Sequence, residues 1–256
     1  MGRLFKGCLI GCGVVVLLVV LAGFGTTMWV KQTFGTPKPP DPKIGQAVAL
    51  RPVFGVRGGK PYGAGTAVAV RVAPNSKPIL ITAQHLFGPA GGMEPPIAPP
   101  DLDKKITGVL LTPIAGRKPV AMARGSLRKS GAFPEEGLQD VSGDVAAFKL
   151  SPNSRVNALD LAPGNPAMGE WVWLVGDVFD HEPQTQRLFP GRVMLVSDKK
   201  TLIKFERSFE LRAFSGAPLI NSKKQVVGLL IGGTSELGII NPAGIIRKRL
   251  EESGVR

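Results

Sequence analysis

The sequence predicts an all-β fold, a barrel or a sandwich closed by one C-terminal helix, for everything after residue 45. Nine short apolar runs in a stretch punctuated by Gly and Pro read as strands: residues 47–54, 65–72, 79–83, 106–114, 145–150, 171–176, 192–197, 201–205 and 226–231. No long helical period interrupts them before Pro242. Both cysteines lie upstream, at Cys8 and Cys12, so no internal disulfide can staple this part and packing alone must hold it.

Taken in order, residues 1–7 form a short tail and residues 8–30 a run of 23 positions without a charge. As a helix that run is about 34 Å long against a hydrocarbon core of about 30 Å, enough for one transmembrane span. A cleaved signal peptide competes, with residues 13–24 as its apolar core and Gly23 and Gly25 as small residues near a cleavage point. The run continues through Met28, Trp29 and Val30, and Trp29 suits a membrane interface, which favours a retained anchor. Residues 9–12 match a bacterial lipobox, but the apolar region it requires follows Cys12 instead of preceding it. Lys6 stands where N-myristoylation needs Ser or Thr.

Residues 31–45 are a Pro-rich linker, in which 36–43 (TPKPPDPK) make an extended spacer between membrane and domain. At the other end, Asn241 before Pro242 reads as a helix start with Asn as the cap, and the following IIRKRLEE carries one apolar face.

The formal charge is +13, of which residues 1–44, with five Lys/Arg and one Asp, carry +4. The basic excess is therefore spread along the chain. No stretch clusters five Lys/Arg and aromatics are sparse, which argues against a nucleic-acid partner. The pairs Gly58/Gly59, Gly91/Gly92 and Gly232/Gly233 belong to no phosphate-binding loop pattern, and Gly59-Lys60-Pro61 lacks the metal-binding hydroxyl, so a nucleotide is excluded. Neither a metal nor a cofactor is expected.

Chemistry is concentrated at Ser215, in a Phe-Ser-Gly-Ala-Pro turn just ahead of the apolar run 226–231. A serine hydroxyl is a poor nucleophile until a base takes its proton, so this reading needs a histidine and a carboxylate to orient it. The sequence offers two histidines. His181, between Asp180 and Glu182, has the surroundings of a solvated turn, whereas His85 follows an apolar strand directly. Asp144 stands at the mouth of another apolar strand, where it can face an imidazole. Residues 88–100 follow His85 and either drape over a cleft or form an inert surface loop; the acidic residues 133–143 precede Asp144.

Residues 82–85 (TAQH), 144–150 (DVAAFKL) and 215–219 (SGAPL) together resemble the three signature segments of trypsin/chymotrypsin-like serine proteases, in the disulfide-free bacterial HtrA-like branch. Residues 169–177 resemble the strand that opens the second barrel of that family, and LGIINPAGIIRKRLEE its last strand and closing helix. The resemblance covers roughly residues 47–252. It implies two six-stranded antiparallel β-barrels, residues 46–160 and 161–256, the second ending in the helix. It also implies an endopeptidase acting on peptides or proteins, with His85, Asp144 and Ser215 as catalytic triad and the backbone N–H groups of Ala213 and Ser215 as oxyanion hole. Phe209, Leu230, Ile231, Gly232 and Gly233 take substrate-binding positions, Phe209 at the floor of an apolar specificity pocket.

Three residues depart from that family's pattern: Ala213 and Ala217 replace Gly, and Phe214 replaces Asp or Asn. A Cβ on Ala213 strains a glycine-favoured turn by on the order of 1 kcal/mol. Phe214 can form no ion pair with a freed N-terminus, so packing must shape the turn. The alternative reading is a protease-fold module that binds extended peptides at the membrane with little or no turnover.

Arg3 and Lys6 flank one side of the apolar run and Lys31, Lys38 and Lys43 the other, so basic residues do not set its orientation. The expectation is a single-pass cell-membrane protein with its catalytic domain on the extracytoplasmic side. Protease added outside intact spheroplasts should then digest the domain after cutting near residues 38–43. Protection until lysis would place the domain in the cytoplasm, and a mature N-terminus near Thr26 would show a cleaved signal.

Overall fold

The computed structural model describes residues 35–255 apart from 135, 136, 180 and 182. The expected anchor at 8–30 lies outside the described residues, and among those described no helix is long and apolar enough to cross a membrane.

The first sheet contains β1 (Ala49–Val56), β2 (Tyr62–Gly63), β3 (Ala67–Arg71), β4 (Ile79–Thr82), β5 (Ile106–Pro113), β6 (Ala121–Ser126), β7 (Ala146–Leu150) and β8 (Leu159–Asp160). Its order β1-β5-β6-β7-β4-β3 returns to β1 through Ala49↔Val68 and Leu50↔Ala67, which closes an antiparallel six-stranded barrel. The short β2 hangs on β1, and β8 runs parallel to β3. A second closed barrel follows, built from β9 (Trp171–Gly176), β10 (Arg187–Val196), β11 (Thr201–Phe205), β12 (Pro218–Ile220), β13 (Val226–Gly233) and β14 (Leu237–Pro242) in the order β10-β11-β14-β13-β12-β9. Closure leaves neither sheet a long unpaired edge. One turn of helix, α1 (Leu102–Lys105), precedes β5, and α2 (Ala243–Glu251) follows β14.

The apolar runs become strands because β-branched and aromatic residues fill a pleated, buried surface. Phe54, Phe87 and Phe148 pack in series inside the first barrel, the first pair edge-on and the second tilted, with ring centroids 4.7 and 5.8 Å apart. Among the described residues Trp173 is the largest fully buried side chain, and its indole N–H donates to Asp41 Oδ1 at 2.8 Å. The barrels are tied by polar side chains that satisfy backbone groups across the gap. Gln186, just ahead of β10, accepts from Val48 and Ala49 N–H at 2.9 and 3.0 Å. Arg247 of α2 donates to Val72 O at 2.5 Å and to Leu161 O at 2.9 Å.

The helix begins differently from the sequence reading. Asn241 is not its cap: it belongs to β14, is fully buried, and Pro242 precedes the first helical residue. The capping acceptor comes from far away in sequence, where Asn165 Oδ1 takes the Gly244 N–H at 3.0 Å. Asn241 is thereby released for another task.

Replacing Trp173 by Ala removes a fully buried indole and its hydrogen bond. A loss of about 3–5 kcal/mol is expected in chemical denaturation; a loss under about 1 kcal/mol would contradict its place at the centre of the second barrel's packing.

Candidate active site

Strands β4 and β7 are antiparallel neighbours, and Thr82, the last residue of β4, pairs with Ala146, the first of β7. Residues just beyond Thr82 and just before Ala146 therefore emerge at the same end of the barrel. His85 sits there in a 3₁₀ turn (Gln84–Phe87), and Asp144 lies two residues ahead of β7. His85 Nδ1 donates to Asp144 Oδ2 at 2.7 Å, and the His85 backbone N–H donates to Oδ1 at 3.0 Å. The Asp144 side chain is 4% exposed and that of His85 17%. With Nδ1 held by the carboxylate, Nε2 is the nitrogen left to relay a proton.

Ser215 arrives from the second barrel, in the loop between β11 and β12. It lines one cavity of about 660 Å³ together with His85, Asp144, Ile231 and the apolar residues Pro96, Phe133, Leu138 and Val141. Its hydroxyl donates to Ile231 O at 3.4 Å, and among the described residues it has no hydrogen bond to His85. The Ile231 carbonyl is available because β13 bulges between Leu230 and Gly232.

The Ser215 turn is bolted to the first barrel by Thr66, which donates its N–H to Ser215 O at 2.8 Å and its hydroxyl to Ala213 O at 2.9 Å. Gly216 has φ +82°, and a Cβ there would lie 2.2 Å from Thr66 O, so this close approach admits no other residue. Ala213 has φ +66°, in the left-handed region. The N–H groups of Ala213 and Ser215 have no hydrogen-bond partner among the described residues, which leaves both free to meet an anionic oxygen.

Phe214 is 1% exposed. It meets Phe189 edge-on at 5.4 Å and Phe209 at 5.7 Å, while Phe189 and Phe209 stack at 4.3 Å. An aromatic cluster therefore holds the nucleophile turn from below. Phe209, Gly232 and Gly233 line an open cleft of about 610 Å³. Leu230 does not join them. It is 1% exposed, and its C=O and N–H are taken by Gly216 and Ala217 at 2.7 and 2.9 Å, which removes it from the substrate-facing set.

The loop after His85 is pinned against the cavity. Pro89, Ala90 and Pro96 form part of the wall, Ile97 N–H donates to Phe87 O at 2.8 Å, and buried Gln84 donates to Ile97 O at 2.8 Å. On the facing rim, the Ser142 N–H at 2.9 Å holds the Asp140 carboxyl below its usual range. Among the described residues no cluster of three His, Cys, Asp or Glu suits a metal ion. The other histidine, His181, bonds Asp177 Oδ2 at 3.1 Å, and that buried carboxylate also accepts from Thr185 N–H at 2.6 Å and pairs with Arg187. This is a structural knot in the turn before β10.

No family model matches the sequence, and no curated protein matches it. Solved structures do. A serine endoprotease from Yersinia pestis superposes with a TM-score of 0.52 at 15% identity over 81% of this chain. The inactive form of Rv3671c from M. tuberculosis gives 0.50 at 18% over 81%, and the HtrA-type protease AlgW with a tripeptide 0.50 at 15% over 82%. The chain has the two-barrel fold of HtrA-type serine proteases. It spans 63% of the Yersinia structure, 62% of AlgW and 87% of Rv3671c. Sequence reasoning missed Thr66, Leu138 and the inward role of Asn241: a threonine before a strand, a leucine in an acidic loop and an asparagine before proline carry no distinguishing signal.

At Ala213 two effects oppose each other. Glycine relieves left-handed strain of about 1–2 kcal/mol but adds about 0.5–1 kcal/mol of unfolded-chain entropy. Ala213→Gly should therefore stabilise the fold by about 0.5–1 kcal/mol in chemical denaturation. A destabilisation of similar size would show that the turn does not hold this backbone conformation.

Proposed function

We propose that this chain is a membrane-anchored serine endopeptidase, held to the bilayer by residues 8–30. The observation that carries the proposal is the buried, doubly bonded Asp144–His85 pair opening into the cavity that Ser215 lines. Asp144 holds the imidazole in one tautomer, His85 takes the Ser215 proton as Oγ attacks a peptide carbonyl, and His85 then protonates the leaving amine. The oxyanion forms beside the Ala213 and Ser215 N–H groups. Water, activated by the same histidine, releases the acyl group.

Peptides are the proposed ligands, and AlgW was solved with a tripeptide and with a decapeptide. The aromatic floor at Phe209 and the apolar wall of Pro96, Phe133 and Leu138 favour uncharged, apolar side chains around the scissile bond. Control comes through access or substrate-induced reshaping of the Ala213 turn, since Phe214 packs the loop in place without an ion pair.

A second reading, a peptide-binding module without turnover, draws on the Ser215 hydroxyl resting on Ile231 O and on the strained Ala213. Covalent reactivity separates the two. A fluorophosphonate probe should label the full chain, solubilised in detergent, at Ser215, and fail with His85→Ala and Ser215→Ala. Labelling that survives His85→Ala would remove the triad, and an unlabelled wild type would favour the binding module.

A further inference from the structure

The turn that presents Asp144 belongs to no strand, yet four consecutive carbonyls in it each accept a side-chain N–H from elsewhere in the fold. Arg249 Nε donates to Ser142 O at 3.2 Å, Arg128 Nη1 to Gly143 O at 2.8 Å, Asn241 Nδ2 to Asp144 O at 3.2 Å, and Arg128 Nη1 again to Val145 O at 2.8 Å. The donors come from three places: the segment after β6, strand β14 of the second barrel, and helix α2. Inside the turn itself, Asp144 N–H donates to Val141 O at 3.0 Å and Val145 N–H to Gly143 O at 2.9 Å.

Arg128 is the unusual member. It is 4% exposed, forms no ion pair among the described residues, and directs its donors to three carbonyls, the third being Ser130 O at 3.2 Å. Its Nε is buried without a partner among the described residues. Burial, followed by the nearby Arg249 charge, pulls the guanidinium below its ordinary pKa. An apolar side chain of similar volume in place of a buried charge is often neutral or stabilising, so what sets Arg128 apart at this turn is the carbonyls it holds, with Glu252 and Asp144 the acidic groups near enough to act on its charge. Asn241 fits the same pattern: it is fully buried, its Oδ1 has no partner among the described residues, and its one side-chain hydrogen bond there reaches Asp144 O.

We propose that Arg128 and Asn241, with Arg249 behind them, are positioning residues that lock the 142–145 turn so that both Asp144 carboxylate oxygens meet His85. The proposal rests on the triad reading above. The carboxylate satisfies two donors on one histidine only within a narrow range of backbone positions, and a shift of about 1 Å is enough to cost about a hundredfold in rate. Clamping residue 144 together with its neighbours on both sides removes that freedom before substrate arrives.

The test uses the full chain in detergent, in Arg128→Met, Arg128→Lys, Asn241→Leu, Arg249→Met and Asp144→Asn forms. Two readouts are taken: the far-downfield proton NMR signal of a His85 Nδ1–H bonded to a carboxylate, and fluorophosphonate labelling split into binding and reaction steps. Arg128→Met and Asn241→Leu should lose or move the signal and slow the reaction step by about tenfold or more, with probe binding unchanged. Arg128→Lys, which can still reach one carbonyl, should recover part of both. In the Asp144→Asn background, Arg128→Met should add nothing further. An unchanged signal in folded Arg128→Met and Asn241→Leu, or a full additional loss on top of Asp144→Asn, would overturn the proposal. If Arg128→Met does not fold, Asn241→Leu and the half-exposed Arg249→Met decide it in the same way. A wild type that shows the signal but does not label would sink the protease reading alone, because the signal still reports whether the clamp sets the Asp144–His85 bond.

Discussion

The hydrogen-bonded pair of Asp144 and His85 is the constraint to which the surrounding architecture answers. A carboxylate only 4% exposed costs several kcal/mol to bury unless its oxygens are met. Here one residue meets both, through its backbone N–H and its ring. That requires the ends of β4 and β7 to be in register, which Thr82↔Ala146 provides, and it requires an aspartate backbone that does not drift. The arginine and asparagine donors around residues 142–145 supply the second condition from both barrels and the closing helix. The pair is thus a product of the whole fold, although its two residues sit at one end of one barrel.

The nucleophile turn is stabilised by a different kind of force. Below it, Phe214 packs into the cluster of Phe189 and Phe209; above it, Thr66 takes up two of its carbonyls across the barrel interface. Apolar burial supplies the affinity and the threonine supplies the register. Between them Ala213 is held at positive φ, a conformation an isolated alanine avoids, so the strain is sustained by its surroundings. Packing by Phe214 also gives the second barrel and the site a shared core, since the same phenylalanines that fill the barrel support the serine.

Strand content was largely legible. Eight of the nine apolar runs correspond to strands within two residues at each end, because β-branched residues on a buried, two-sided surface leave a plain hydrophobic signal. The run at 192–197 is the ninth: β10 begins five residues earlier, at Arg187, where Pro190 and Gly191 hide a strand whose partner β9 decides its length. Strand β6 was silent for a related reason, since Ala121–Ser126 has no alternation and exists because β5 and β7 flank it. The helix was expected almost where α2 lies, but its cap was misassigned, as Asn165 reaches Gly244 from almost eighty residues away.

By itself the sequence determined the all-β class and the candidate residues His85, Asp144 and Ser215; only beside the family it resembles did Ala213 and Phe214 stand out. These are properties of residue type and local order, which short-range pattern can express. Tertiary structure alone decided that Leu230 is closed to a substrate, that Asn241 faces Asp144 instead of capping a helix, and that Arg128 is buried on the Asp144 turn. The reason is physical. A side chain's hydrogen-bond partner is set by which unsatisfied backbone group lies within about 3 Å of it, and such groups come from segments that only the closed barrels bring together.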